Sequence, residues 1–240
     1  MKSDINNLAK QKVWESYSLS YDIILPKLPF YQEVIKRHVE VMMGQGITDV
    51  IDIGAGTGNV SVELLSKNRR VTAVDLNATM LARLREKTFE TCMANLSIIE
   101  QNAEDLSQFA DRSFDGVTIM LALYDMINPR LAFHEAVRIL RPGGSIVITE
   151  IKRCFQLQIL INFVEEYLRQ KNLYAILRQD WERVMTANKL LDPGSRELRL
   201  FAEEIESNLR ENGFSIHSIK DSHLGNCATI WATKVNTVRK

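Results

Sequence analysis

Two acidic residues stand at or near the ends of apolar runs in a way that suits small-molecule chemistry. Asp52 lies in Val50-Ile51-Asp52-Ile53-Gly54-Ala55-Gly56-Thr57-Gly58-Asn59, and Asp75 closes Val71-Thr72-Ala73-Val74-Asp75. Three glycines at alternate positions follow the first run. Lacking a Cβ, glycine lets the backbone turn sharply and approach a ligand. The helix opened by Val60-Ser61-Val62-Glu63-Leu64-Leu65 offers its free N–H groups to an electron-rich ligand. Asp75 falls where a carboxylate meets ribose hydroxyls in a βαβ nucleotide site. Groups able to move a proton are scattered: Glu150 at a strand end on the ligand-binding side, Tyr124 and Asp125 after the fourth strand, and His134 on a helix. A neutral histidine takes a proton near pH 7, yet a histidine placed on a helix like His134 more often has a surface or packing role.

Spacing separates the cofactor classes. A dinucleotide fingerprint needs a small residue at position 59, where this chain has Asn59, and no Lys-Ser or Lys-Thr follows the glycines as a phosphate-cradling loop requires. Further stretches follow in order: Val74-Asp75-Leu76-Asn77-Ala78-Thr79-Met80-Leu81, then Asn102-Ala103-Glu104-Asp105-Leu106, then Phe114 to Leu123, then Leu140-Arg141-Pro142-Gly143-Gly144-Ser145-Ile146-Val147-Ile148. With Asp52-x-Gly54-x-Gly56-x-Gly58 they resemble, from residue 48 to residue 151, the successive motifs of the class I S-adenosylmethionine-dependent methyltransferases. Asn102 departs from the family's more frequent Asp, but its side chain can still accept a hydrogen bond from an adenine amino group.

The resemblance implies an α/β, Rossmann-like, doubly wound sheet of seven strands, the last antiparallel, with an N-terminal helical lid and a helical insertion after the fifth strand. It implies S-adenosylmethionine as cofactor, S-adenosylhomocysteine as product and in-line displacement of the methyl group onto an O, N or C atom. By motif position Gly54, Ala55, Gly56 and Gly58 border the methionine portion, beside Asp52. Asp75 takes the ribose, Leu76 and Met80 the adenine face, Asn102 and Ala103 the adenine edge, and Met120 and Leu121 the space beneath the sulfonium. Leu76, Met80, Met120 and Leu121 also suit plain core packing. Tyr21, with Tyr17 second, is expected to close over the methionine end, as in small-molecule methyltransferases including those of quinone biosynthesis. Tyr17, Tyr124, Phe163, Tyr167 and Trp181 are the substrate-side candidates, while Tyr21, Glu150, Tyr124 and His134 are the candidates for the chemistry. No Asn/Asp-Pro-Pro-Tyr/Phe follows the fourth strand, which argues against the family's branch acting on amino groups of nucleic acid or glutamine. No acidic set suggests a catechol-type magnesium site, so no metal is expected.

The elements that must position these residues read as one domain: 1–45 a helical lid, 46–151 the cofactor core, 152–195 the insertion, 196–240 a closing helix and hairpin. The lid reads as two helices, the second with Tyr31, Val34, Ile35, His38, Val39 and Met42 at helical spacing. Between them lies Trp14 to Asp22, an aromatic cluster that serves either as a cover for the cofactor or as packing on the sheet edge. Met80, Leu81 and Leu84 give another helix its buried face, extended by Phe89, and Leu131 to Leu140 reads as a helix stopped by Arg141-Pro142-Gly143-Gly144. From Leu157 to Leu168 apolar residues surround the helix, so it requires cover from protein, substrate or a second copy as a homodimer. A turn is expected at Leu191-Asp192-Pro193-Gly194. Leu198, Phe201, Ala202, Ile205 and Leu209 form an amphipathic face before the strands at Phe214 and Ala228, and the tail after Lys234 reads as frayed.

Composition narrows the class. The 240 residues carry 30 basic and 30 acidic side chains, a formal net charge of +0, which removes the electrostatic case for a nucleic-acid or anionic-membrane partner. Cys92, Cys154 and Cys227 are far apart, pointing to a reducing, cytoplasmic setting. No apolar run approaches the ~18 residues of a membrane span. Two rival readings remain: a nicotinamide-dependent oxidoreductase, and a cofactor-binding but non-catalytic partner subunit.

Overall fold

The structure, a computed structural model, describes residues 2–89, 93–190 and 199–235; Cys92, the expected turn at 191–194, Leu198 and residues 236–240 lie outside them. Its centre is strand β1 (Asp49–Ile53), in which Val50, Ile51 and Ile53 are completely buried. Strand β2 (Arg70–Asp75) pairs with it in parallel on one side and β4 (Phe114–Met120) on the other. Strands β3 (Leu96–Glu100), β5 (Leu140–Ile151), β6 (Phe214–Ser222) and β7 (Cys227–Lys234) complete a seven-stranded sheet in the order β3-β2-β1-β4-β5-β7-β6. Among the described strands only β7 runs against both of its neighbours, inserted between β5 and β6. Runs of β-branched residues buried on both faces form such a sheet because crossover helices cover both sides.

Helices α3 (Asn59–Ser66), α4 (Ala78–Thr88), α5 (Pro129–Ile139) and α8 (Ala202–Glu211) supply much of that cover. Phe133, Ala136, Ile205 and Leu209 pack on one face, and Val60, Leu64 and Met42 on the other. Asn77 starts α4 and Asn128 starts α5, each accepting a backbone N–H three residues on, from Met80 and Leu131. The last strands place β6 at the sheet edge, with Gly213 at φ +77° turning the chain out of α8.

Helices α1 (Lys2–Ile24) and α2 (Pro29–Met42) precede the sheet, and α6 (Leu157–Gln170) and α7 (Tyr174–Leu190) follow β5. Together they enclose a second core around Tyr17, Ile24, Tyr31, Val164, Leu168 and Trp181. Helix α2 lies close on the sheet: a Cβ on Gly116 of β4 would stand 2.4 Å from Met42 Sδ. His38 crosses the same interface, its Nδ1 2.6 Å from Thr118 Oγ1 and its Nε2 2.7 Å from Thr149 Oγ1.

Four expectations are corrected. The segment Trp14 to Asp22 lies within α1, because nothing in it breaks a helix before Pro26; the break comes at the 3₁₀ turn Leu25–Lys27. The apolar residues of α6 form a stripe, with Ile161, Val164 and Leu168 buried and Ile159 in solvent. Phe89 is 83% exposed at the end of α4, past its buried face. Helix α5 ends at Ile139, and Leu140 is already extended and paired with Phe114.

Candidate active site

Strand ends build the first cavity. The crossovers diverge between β1 and β4, the point where open α/β sheets bind ligands. At the carboxyl ends of β1, β2, β3 and β4 lies a cavity of about 440 Å³, bordered by Asp52, Gly56, Asp75, Asn102, Met120 and Leu121 among others. Its floor is backbone. Gly54 and Ala55 donate N–H bonds to the Val74 carbonyl at 2.8 and 3.0 Å, and Gly56 N–H donates to Asp75 Oδ2 at 2.8 Å. Gly54, Gly56 and Gly58 all hold positive φ, at +69°, +55° and +78°. A Cβ on Gly54 would meet Ala122 Cβ at 2.3 Å, and one on Gly58 would meet Leu84 Cδ1 at 2.2 Å; on Gly56 it would meet nothing within 4 Å. Two glycines therefore allow the turn to pack, and the third leaves a face open to a ligand.

Helices build the second cavity, of about 150 Å³, lined by Tyr17, Phe30, Trp181, Val184, His223 and further aromatic and aliphatic side chains. The two cavities share Trp14, Tyr21, Tyr31 and Leu121 as walls. Tyr21 and Tyr31 hydroxyls are 2.8 Å apart, and Asn59 Nδ2 donates to Tyr31 at 3.2 Å. Trp14 Nε1 donates to Asp125 at 2.8 Å. Leu121, at φ +51°, is a bulky residue in the left-handed region, held by its N–H bond to the Thr149 carbonyl.

Residues 51–148 match the family description "Methyltransferase domain". A ubiquinone/menaquinone biosynthesis C-methyltransferase of Proteus mirabilis is 30% identical over 148 residues, 59% of each chain. A demethylmenaquinone methyltransferase of Listeria monocytogenes is 34% identical over 140 residues, 56% of this chain and 59% of that one. Residues 51–148 thus carry the match to a methyltransferase domain. The fold agrees: a SAM-dependent methyltransferase from Aquifex aeolicus superposes with a TM-score of 0.59 at 16% identity, covering 91% of this chain and 98% of that one. The chain spans about three fifths of the length of the curated relatives it matches.

The cavity at the strand ends collects Asp52, Gly54, Ala55, Gly56, Asp75, Leu76, Met80, Asn102, Ala103, Met120, Leu121 and Tyr21. Gly58 stands one turn back, at the start of α3. Asn102 Oδ1 accepts the Glu104 N–H at 3.0 Å, and Leu76 is 64% exposed. Tyr17, Tyr21, Tyr124 and Trp181 line the aromatic cavity. Phe163 and Tyr167 stack on each other in the adjoining core, outside both cavity walls. His134 is exposed on α5 and borders neither cavity, so geometry removes it as a base. Glu150 is fully buried behind the walls, accepting backbone N–H bonds from Tyr124 at 3.1 Å and Ile151 at 2.8 Å. It braces the ends of β4 and β5 and faces neither cavity.

Burial dominates the electrostatics. It raises the Asp52 carboxyl to about 7 against the pull of its Ser61 hydroxyl bond, and Glu150 to about 8. It raises Asp75 too, opposed by the Asn77 and Gly56 N–H bonds. The Tyr31 hydroxyl is pushed up to about 12 and Tyr21 well above its ordinary value, so both remain neutral near pH 7. Sequence reading missed Tyr31, Asn188 and His223 as wall residues and left Trp14 within a cluster read either as a cover or as packing. Tyr31 had a signal, its place on the buried face of a helix beside the aromatic segment; His223 had none, since its turn read only as a connection between two closing strands. Among the described residues no group of His, Cys, Asp and Glu could hold a metal ion.

Proposed function

We propose that the chain transfers a methyl group from S-adenosylmethionine to a small, neutral, largely apolar acceptor in the aromatic cavity. The carrying observation is the shared wall: a polar cavity and an apolar one meet at Trp14, Tyr21, Tyr31 and Leu121. Among the described residues no Asp, Glu, Lys or Arg lines the aromatic cavity, and an unpaired charge would be costly there.

The residues fit the cofactor. Asp75 has lone pairs beyond those engaged by Gly56 and Asn77 to accept ribose hydroxyls. The open face of Gly56 admits close approach, while Asp52 suits the cationic methionine end. Leu76 and Met80 would pack on the adenine, with Asn102 and Ala103 at its edge and Met120 and Leu121 below the sulfonium. S-adenosylmethionine supplies a methyl group already activated on that sulfonium, so the protein's share is orientation and exclusion of water. Tyr21 closes the junction. The described parts of 1–45 and 152–195 serve as lid and acceptor wall within one domain. A cytoplasmic location and a homodimer belong to the same proposal; no helix among the described residues is long and apolar enough to cross a membrane.

Relatives named for quinone methylation make a quinol-type ring, methylated at carbon, the first acceptor to try. The test is titration calorimetry with S-adenosylhomocysteine and NADH, followed by transfer of labelled methyl to neutral ring compounds and to their carboxylated analogues. Saturable binding of the first ligand with transfer only to neutral rings is expected. NADH binding alone would establish an oxidoreductase; cofactor binding without transfer to any acceptor would favour the non-catalytic subunit.

A further inference from the structure

We propose that His223 selects the acceptor, its Nε2 forming a hydrogen bond to a neutral hydroxyl or carbonyl oxygen on an otherwise apolar ring compound. This rests on reading the aromatic cavity as the acceptor site.

Two buried histidines show why. His38 is a satisfied core histidine, each ring nitrogen held by a threonine hydroxyl. His223 is just 6% exposed, but its Nδ1 alone has a partner, Ser222 Oγ at 3.2 Å; its Nε2 has no hydrogen-bond partner among the described residues. His223 is on the cavity wall, whereas His38 is not. The turn presenting it is unusual, with His223 and Leu224 at φ +48° and +56° in succession. Such conformations persist where the surroundings over-determine them and cluster at ligand sites. Phe30 packs against the imidazole with ring centres 4.7 Å apart, which limits its freedom to turn away.

The tyrosine and tryptophan polar groups on the wall are already engaged. Tyr21 and Tyr31 bond each other, Tyr17 bonds Asn188, and the indole N–H groups of Trp14 and Trp181 reach Asp125 and Glu165. Tyr124 also has a partner. Burial keeps the His223 ring neutral, its pKa lowered to about 4, so it offers a polar edge without a charge. An uncharged hydrogen-bonding group in an apolar cavity favours ligands with a matching neutral polar atom, because an all-hydrocarbon ligand leaves it unsatisfied. His223 borders the aromatic cavity alone and is absent from the wall shared with the cofactor cavity. It would therefore fix which way the acceptor enters and hence which atom faces the junction.

The experiment uses p-cresol and p-xylene, which share a shape and differ by one hydroxyl, titrated by NMR into the full chain loaded with S-adenosylhomocysteine. Wild type should bind p-cresol about fivefold more tightly than p-xylene, the size of one net hydrogen bond. His223→Asn tolerates the left-handed backbone and keeps a polar group near the Nδ1 position but has none at Nε2, so its ratio should fall to about one. His223→Gln reaches the Nε2 position and should restore the preference. All three proteins should bind S-adenosylhomocysteine alike. An unchanged ratio in His223→Asn, or a lost ratio in His223→Gln, would overturn the role of Nε2. If S-adenosylhomocysteine saturates but neither probe binds wild type, the acceptor-cavity reading falls and takes this one with it.

Discussion

The two cavities meet at four side chains and are built by opposite means. The cofactor cavity is made of backbone turns at the ends of β1 to β4, with two carboxyls at its edge, Asp52 buried and Asp75 half-buried. The aromatic cavity has no regular backbone motif; α1, α2, α6, α7 and the His223 turn contribute side chains from distant parts of the chain. On the proposed reading the first takes a constant ligand with fixed polar groups, and the second sets size, neutrality and orientation with apolar bulk and few polar atoms. That division suits methyl transfer, because its chemistry asks mostly for geometry and dryness.

The comparison predicts separable damage. The largest effect should come from Trp181→Ala, which empties a buried site between α6 and α7 and should cost about 3–5 kcal/mol by thermal or denaturant melting. Affinity of the folded fraction for S-adenosylhomocysteine should stay within about twofold; a collapse of that affinity would mean that the cavities are one cooperative unit. On the cofactor side, Asp75→Ala removes the partner of the Gly56 and Asn77 N–H groups together with the ribose acceptor, and should weaken binding about 100-fold by calorimetry. Gly54→Val should do at least as much, since its Cβ would stand 2.3 Å from Ala122 Cβ.

A smaller effect concerns charge. Burial holds Asp52 near pKa 7 without ligand, so below that pH it is neutral. A cationic ligand favours the ionised form, so affinity for S-adenosylmethionine should rise up to about tenfold from pH 6 to pH 8. Asp52→Asn should flatten that part of the profile; a profile unchanged by the substitution would remove Asp52 from the cationic end of the site. The smallest effect tests the seam. Lys87 Nζ reaches Asp22, Thr57 and Asn59 at 3.0, 3.2 and 2.9 Å, tying α1 to the glycine turn and α3. Lys87→Met keeps the stem and drops the charge, and should speed S-adenosylhomocysteine release about threefold in stopped-flow measurements. No change would mean that α1 does not govern cofactor exit.

The division between legible and hidden features follows the same line. Gly54, Gly56 and Asp75 were readable because short spacing along one strand–turn–helix–strand unit dictates their place, and Asn102 because its stretch resembles a later motif of the same family. Glu150 was readable as a strand-end acid but not as a brace, since its direction depends on where the turn at Leu123–Asp125 folds back. The aromatic run from Trp14 to Asp22 was visible as a cluster, yet its helical state was missed because aromatic residues weigh little for or against a helix. His134 and His223 carry the same weight as isolated letters; one lies in solvent and the other in a cavity wall.

The amino-acid order by itself carried the parallel core through local apolar runs and glycine turns, and carried the antiparallel last strand and the cofactor class through motifs that resemble those of a known family. Only the tertiary structure decided the aromatic cavity, the pairing of Tyr21 with Tyr31 and the contrast between His38 and His223. Those depend on which helix faces meet across more than a hundred residues of chain, and no local spacing encodes that packing.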